Sequence, residues 1–300
     1  MIRIEVPATS ANVGPGFDCM GVALDWNNVI TVEETGTKNV EIVVPDGCEV
    51  FLPNNDKNYV YKAMKKVFDI TNKPFSGYKI TIDQNVPVTR GLGSSSSAIV
   101  GGLAGANYLL GNPLSEDEIL NIACNMEGHP DNVAPALLGG FVVSVREGRK
   151  VHYIKADVSD EITFAALIPD FHFSTKKSRG LLPRYVSHKN AVYNLSHASF
   201  TASAFMTGDF SKLGTGVKDR LHESYRISRI KNGADIINVC RKSGAVACYL
   251  SGAGPTVMSI VQGDGLEFEN KVNSELKMHF PDWSLKMLKA NNNGVIVKEV

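Results

Sequence analysis

Residues 87–106 read Pro-Val-Thr-Arg-Gly-Leu-Gly-Ser-Ser-Ser-Ser-Ala-Ile-Val-Gly-Gly-Leu-Ala-Gly-Ala. No other stretch of the chain limits its fold so strongly. Gly91 and Gly93 let the backbone turn tightly and come close to a ligand. Ser94 to Ser97 then open a run of small and apolar residues at helical spacing. The first amides of a helix have no internal partner and carry positive partial charge, which suits phosphate. Serine caps such a helix well and adds hydroxyl donors. Residues 90–97 therefore read either as a loop that wraps a polyphosphate or as a Gly/Ser turn capping an ordinary helix. The stretch alone leaves both readings open.

The remainder of the chain supplies a soluble setting for that loop. Its 300 residues are 43% apolar and 21% charged, enough for a sizeable core. Lys plus Arg is 31 and Asp plus Glu is 31, so no net field favours nucleic acid or an anionic membrane. Zero net charge is compatible with a homodimer. Cys19, Cys48, Cys124, Cys240 and Cys248 are scattered, odd in number and never form C-x-x-C, so they read as buried thiols in a reducing compartment. The N-terminus alternates like a strand and is no signal peptide. No run of about 18 apolar residues exists, so no membrane span is expected and the cytoplasm is the default.

Residues 2–6 read as a strand stopped by Pro7, followed by a turn-rich, weakly charged loop at 8–21 that folds inward over a site. Strands are expected at 22–35, 40–44 and 77–83, a polar loop at 45–57 and a helix at 58–71. Ser115 caps a helix ending near Glu127. Gly128 to Asn132 and an apolar stretch lead to Phe141, and a hairpin joins 141–146 to 150–155. The polar, acidic segment at 155–161 divides the chain into domains 1–158 and 159–300. The second half holds a strand at 162–168, a basic loop or short helix at 174–184 and helices at 189–206, 233–242 and 265–279. Strands at 245–250 and 256–261 flank the glycine-rich turn Ser251 to Pro255, and two strands close the chain. Strands and helices mix without regular alternation, which favours an α+β fold over a doubly wound sheet.

Familiar nucleotide motifs do not fit the loop. No lysine precedes the serines, so it is not a Walker A loop. Ser96 stands where a dinucleotide fingerprint needs its third glycine. No G-x-S-x-G or H-E-x-x-H pattern occurs, and the seven histidines lack zinc-ligand spacing.

Three glycine-rich turns remain. Pro-Ala-Thr-Ser-Ala-Asn-Val-Gly-Pro-Gly-Phe-Asp (7–18), Pro-Val-Thr-Arg-Gly-Leu-Gly-Ser-Ser-Ser-Ser-Ala (87–98) and Ser-Gly-Ala-Gly-Pro-Thr (251–256) resemble, in order and spacing, the three motifs of the GHMP small-molecule kinases. The first motif, with Glu-Gly-His-Pro-Asp-Asn-Val-Ala-Pro-Ala (127–136), resembles the homoserine branch of that family. The likeness runs from residue 3 to about residue 260 and turns the phosphate-loop reading into the favoured one.

The resemblance implies an N-terminal domain like ribosomal protein S5 domain 2, with a left-handed βαβ crossover, and a ferredoxin-like C-terminal domain. It implies ATP and Mg²⁺, with L-homoserine as acceptor and O-phospho-L-homoserine as product in threonine biosynthesis. ATP would lie on Pro87, Val88, Thr89, Arg90, Gly91, Leu92, Gly93, Ser94, Ser95, Ser96 and Ser97, with Asn58 and Tyr59 near the adenine. Arg90 could face the phosphates or pair at the surface. Glu127 and one of the four loop serines, Ser97 by first choice, would hold Mg²⁺, and Thr175 would contact the γ-phosphate. For the zwitterionic acceptor, Arg179 and Arg220 would take the carboxylate, because a planar guanidinium fork suits two oxygens. Asp18 would take the ammonium, with Asn12 and Asn132 near the hydroxyl or backbone. Asn132 stands where the mevalonate branch has a catalytic aspartate, and an amide cannot accept the hydroxyl proton. The implied mechanism uses no side-chain base, with Asp131 as the rival base. Two other readings remain: a GHMP kinase for another alcohol or a sugar, and a non-catalytic metabolite sensor on the same fold.

Overall fold

The computed structural model describes residues 1–44, 46, 52–173 and 175–300. In chain order the first half runs β1 (Ile2–Ala11), β2 (Met20–Glu34), β3 (Val40–Val43), α1 (Tyr59–Ile70) and β4 (Tyr78–Asp83), then α2 (Ser94–Leu109), α3 (Glu116–Glu127), α4 (Pro130–Leu138), β5 (Phe141–Glu147) and β6 (Lys150–Ala156). The second half runs β7 (Ile162–Pro169), α5 (Thr175–Arg179), α6 (His188–Thr207), a 3₁₀ turn (Phe210–Lys212), α7 (Leu213–Gly216), α8 (Glu223–Ile227) and α9 (Gly233–Lys242). It ends with β8 (Ala247–Leu250), β9 (Val257–Gln262), α10 (Leu266–His279), β10 (Trp283–Leu288) and β11 (Ile296–Glu299).

Two sheets organise these elements into an α+β fold. The first has the order β11-β1-β2-β4-β3, with β5 pairing to β2 and β6 to β5. Its pairs are antiparallel except β3 and β4, which run parallel and are joined through α1. The second sheet, β10-β7-β9-β8, is antiparallel throughout. β11 returns to the first sheet, placing Ile2 opposite Glu299. Alternation drives β1: Ile2, Ile4 and Val6 face the core while Arg3 and Glu5 stay at the surface side. In α1, Val60, Ala63, Met64, Val67 and Phe68 fall on one helical face and are buried.

One expectation changes, and one unassigned stretch gains its structure. Pro7 does not stop β1, which continues to Ala11 with a register shift between Pro7 and Ala8. Proline cannot donate to the ladder, and a bulge is where a strand tolerates that loss. The loop expected at 8–21 therefore shrinks to residues 12–19. The apolar stretch after residue 129 is a helix, α4, with Pro130 in its first turn, where a missing N–H costs little. It lies so close on β2 that a Cβ at Gly21 would fall 1.8 Å from the Asp131 carbonyl oxygen.

Three apolar clusters fill the molecule. One lies between the first sheet and α1–α4, and another between the second sheet and α9–α10. The third joins the halves: Val13, Leu24, Leu92 and Phe141 pack with Phe164, Phe205, Tyr249 and Met258. Phe141 and Phe205 stack with ring centroids 4.1 Å apart. The two sheets thus share a core directly behind the glycine/serine loop. Among the described residues, Cys19, Cys124, Cys240 and Cys248 are free thiols, and no helix is long and apolar enough to cross a membrane. Cys48 lies outside the described residues.

Candidate active site

The three glycine-rich turns meet at one cleft with about 1000 Å³ of empty space, lined from both halves of the molecule. The Thr9 amide donates to the Leu92 carbonyl at 3.2 Å. The Ser251 hydroxyl donates to the Gly91 carbonyl at 2.6 Å and lies 2.8 Å from the Ser10 hydroxyl. Gly91 and Gly93 have φ of 77° and 72°. A Cβ on Gly93 would come 1.9 Å from the Thr9 hydroxyl, so glycine is needed both for the turn and for the approach. α2 begins at Ser94, and the first turn of the helix opens on the cleft.

The loop residues divide by role. Val88, Thr89, Arg90, Gly91, Gly93, Ser94 and Ser95 line the cleft, whereas Leu92 is buried in the shared core. Arg90 is 8% exposed, and its guanidinium donates to the carbonyls of Pro169 at 2.9 Å and Asp170 at 2.7 Å. It neither reaches into the cleft as a free cation nor pairs at the surface. It ties the loop to the end of β7. Burial holds its pKa below the ordinary arginine value.

Helical rotation separates the serines. Ser95 donates to Glu127 Oε2 at 2.9 Å inside the cleft. Ser96 is wholly buried. Ser97, expected as a metal ligand, turns away: its hydroxyl donates to the Ser94 carbonyl at 3.1 Å and accepts from Asn28 Nδ2 at 2.9 Å. The hydroxyl that faces Glu127 is Ser95. Asn58 is likewise set back. It caps α1, accepting from the Val60 amide and donating to the Pro53 carbonyl, each at 2.8 Å. Tyr59, Leu52 and Val88 line the cleft and give it apolar surface. The Thr175 side chain lies outside the described part of the structure; its backbone opens α5.

The cleft also has a polar and charged lining. Asn12, Asp18, Asn132 and Arg179 all contribute to it. The Asn12 amide is a brace, donating to the Gly252 carbonyl at 2.9 Å and accepting from the Asp18 amide at 3.1 Å. Arg179 donates twice to the Asp18 carboxylate, and this contact holds its pKa above the usual arginine value. Ser178 bonds the Ala253 carbonyl and so fixes α5 to the third turn. Asn132 Oδ1 accepts from the Thr9 hydroxyl at 2.8 Å, so its amide nitrogen is the end left to donate. Asp131 is 3% exposed and hydrogen-bonded to His129 Nδ1. Burial disfavours charge on His129, but the bond to Asp131 and the nearby Asp18 and Glu127 outweigh it and raise the pKa.

Arg220 does not reach the cleft wall. Its guanidinium sits over the Tyr193 ring at 3.7 Å, with Asn190 Oδ1 3.5 Å away. Arg226, to which the sequence assigned no role, lines the cleft instead. It is 1% exposed, and its Nε has no hydrogen-bond partner among the described residues. Burial and the neighbouring Arg179 lower its pKa to about 10. The one trace of it in the sequence is the spacing of His222 and Arg226, one helical turn apart. Phe17, Thr9 and His129 were also missed, because each reads as an ordinary turn or packing residue until the fold brings it here.

Comparison with known proteins places the site in a family. Residues 58–140 match the model of the GHMP kinases N terminal domain, and residues 201–277 match that of the GHMP kinases C terminal domain. The chain is 42% identical to the homoserine kinase of Clostridium botulinum (strain Eklund 17B / Type B), over 99% of this chain and 98% of that one. The crystal structure of homoserine kinase from Cytophaga hutchinsonii is 28% identical and superposes with a TM-score of 0.89, covering 99% of this chain and 97% of that one. A putative homoserine kinase from Listeria monocytogenes is 30% identical, with a TM-score of 0.80 and full coverage of both chains (100% each).

Proposed function

The chain belongs to the GHMP kinase family, and from that premise we propose that it transfers the γ-phosphoryl group of ATP to the side-chain hydroxyl of L-homoserine. The observation that carries the acceptor is the charge set in the cleft wall: the Asp18 carboxylate paired with Arg179, and a second guanidinium, Arg226, lining the same cleft. A neutral sugar has no use for two arginines. An amino acid needs an acid for its ammonium and a fork for its carboxylate.

Phosphoryl transfer asks the protein mainly for positioning and charge neutralisation. The turn at 91–93 and the first amides of α2 would hold the phosphates, and Leu52, Tyr59 and Val88 the adenine. Glu127 and Ser95 suit Mg²⁺, an oxygen-seeking ion that keeps several waters, because their oxygens already meet at 2.9 Å in the cleft. When bound, the ion neutralises charge on the phosphate oxygens. Arg226 and Arg179 orient the acceptor by its carboxylate, Asp18 by its ammonium. Asn132 donates to the acceptor hydroxyl through its amide nitrogen, its oxygen being held by Thr9, and an amide is no base for the hydroxyl proton. The proton then passes to the phosphoryl group. In this reading residues 1–158 carry the nucleotide side, and residues 159–300 contribute Arg179 and Arg226.

A coupled ADP-release assay over homoserine, mevalonate, galactose and shikimate tests the proposal. Turnover confined to homoserine supports it. Absence of turnover with homoserine overturns it, and ATP binding without any turnover would favour a sensor.

A further inference from the structure

His222 precedes α8 and is wholly buried. Its ring stacks on Phe17, with centroids 5.2 Å apart and planes 29° from parallel. Nε2 lies 2.8 Å from the Gly14 carbonyl oxygen, on the same turn that carries Asn12 and Asp18. Nδ1 lies 3.1 Å from an Arg226 Nη. A carbonyl can only accept and a guanidinium can only donate. One arrangement satisfies both partners: a neutral imidazole with hydrogen on Nε2 and a bare Nδ1. Asp219 approaches Nε2 at 3.8 Å, but its carboxylate is engaged by the amides of Leu221, His222 and Glu223 at 3.1, 2.8 and 2.7 Å. Burial, followed by the neighbouring Arg226, keeps the His222 pKa below the ordinary histidine value in spite of Asp219.

We propose that His222 is a positioning residue for the acceptor site, joining the turn that presents Asp18 to the guanidinium of Arg226 through its two opposite ring nitrogens. The ligand it serves is the homoserine of the preceding section; the coupling itself stands on geometry. Both arginines crowd Phe17, Arg179 at 5.5 Å and Arg226 at 5.2 Å from the ring centroid, so the histidine also backs the aromatic plate on which they rest. Among the described residues no hydrogen bond, ion pair or ring contact joins His222 to the phosphate loop or to Glu127. It therefore sets the spacing between the ammonium and carboxylate partners and leaves nucleotide binding alone.

Two measurements test this. In His222→Gln the amide can still donate to Gly14 but no longer offers Arg226 a ring acceptor. KM for homoserine should rise about tenfold, the worth of one hydrogen bond to a charged group, with kcat and KM for ATP within about twofold of the parent. An unchanged KM for homoserine, or an equal rise in KM for ATP, overturns the proposal. Nitrogen-15 NMR of the His222 ring in the parent protein needs no acceptor. A neutral ring protonated on Nε2 at neutral pH supports the proposal, and a proton on Nδ1 overturns it even in a folded, active enzyme. If the parent does not turn over homoserine, the acceptor assignment falls, while the NMR result still decides the role of His222.

Discussion

Arg179 holds Asp18 in a two-pronged ion pair, Nη1 to Oδ2 at 3.0 Å and Nη2 to Oδ1 at 2.7 Å. In the proposed reading these two groups serve opposite ends of the acceptor. Without acceptor, each neutralises the other, while Glu127, held by the Ser95 hydroxyl, keeps its charge beside the phosphate loop. A zwitterion can enter by exchanging this internal pair for two external ones, so the charge balance of the cleft is the same before and after binding. A neutral alcohol would have to leave the pair intact and bind around it.

The exchange makes Asp18→Asn informative. The variant loses the ammonium partner and releases Arg179. KM for homoserine should rise about 10–100-fold, the range for hydrogen bonds to charged groups, while KM for ATP stays put. Steady-state kinetics with each substrate varied in turn would read the split. Equal effects on both constants would show that Asp18 supports the cleft as a whole rather than the acceptor.

Arg226 and Arg220 give opposite expectations. Arg226→Lys keeps the charge but not the fork that reaches Gly252, His222 and a ligand together, and KM for homoserine should rise about 100-fold. Arg220→Ala removes a guanidinium stacked on Tyr193 outside the cleft, and should shift KM by less than about fivefold. The reverse order of effects would restore Arg220 to the carboxylate site.

Glu127→Gln should raise the Mg²⁺ concentration needed for half-maximal rate and lower kcat by about 10²–10³-fold, since charge stabilisation of the phosphoryl group is the main catalytic term. Ser95→Ala should move the Mg²⁺ requirement in the same direction. Ser97→Ala should leave it unchanged and cost about 1 kcal/mol of stability, because its hydroxyl is spent inside the protein on Asn28 and Ser94. Magnesium titration alongside thermal unfolding separates the two serines.

A base-free transfer predicts a mild effect of Asp131→Asn. The carboxylate is hydrogen-bonded to His129, and the amide can keep one such bond. We expect kcat to fall less than about tenfold. A several-thousand-fold fall in kcat with both Michaelis constants unchanged would instead identify Asp131 as the base.

Local chemistry explains what the sequence made legible. The turns at 12–19, 91–93 and 251–255 announce themselves through glycine, proline and asparagine, because backbone geometry is encoded one residue at a time. The same is true of α1, whose apolar residues keep helical spacing, and of the β5–β6 hairpin, which turns at Gly148 and pairs in an unbroken register. Ser95 and Arg226 were hidden for a different reason. Four adjacent serines differ only in the helical rotation they receive, and that rotation depends on how α2 seats against Asn28 and Glu127. Arg226 looks like any basic residue in a basic segment until tertiary packing buries it. Pro7 misled because its lost donor is absorbed by a bulge that no local pattern marks.

Glu223 gives a prediction about stability rather than rate. Its carboxylate accepts from the Leu250 amide at 3.3 Å, and burial raises its pKa from 4.5 to about 7. The folded protein thus binds a proton that the unfolded chain releases near pH 4.5. A raised pKa means that stability is fully present below the unfolded value and is lost as pH climbs from about 4.5 through about 7. In a Glu223→Gln variant the amide would keep an acceptor for Leu250 and never ionise. The variant should match the parent near pH 4.5 and exceed it by about 1–3 kcal/mol at pH 8, at about 1.4 kcal/mol per pKa unit with a discount for relaxation around the charge. Urea unfolding at the two pH values measures the difference. A variant no more stable than the parent at high pH would mean that Glu223 ionises in place, with Arg241 offsetting the cost of burial.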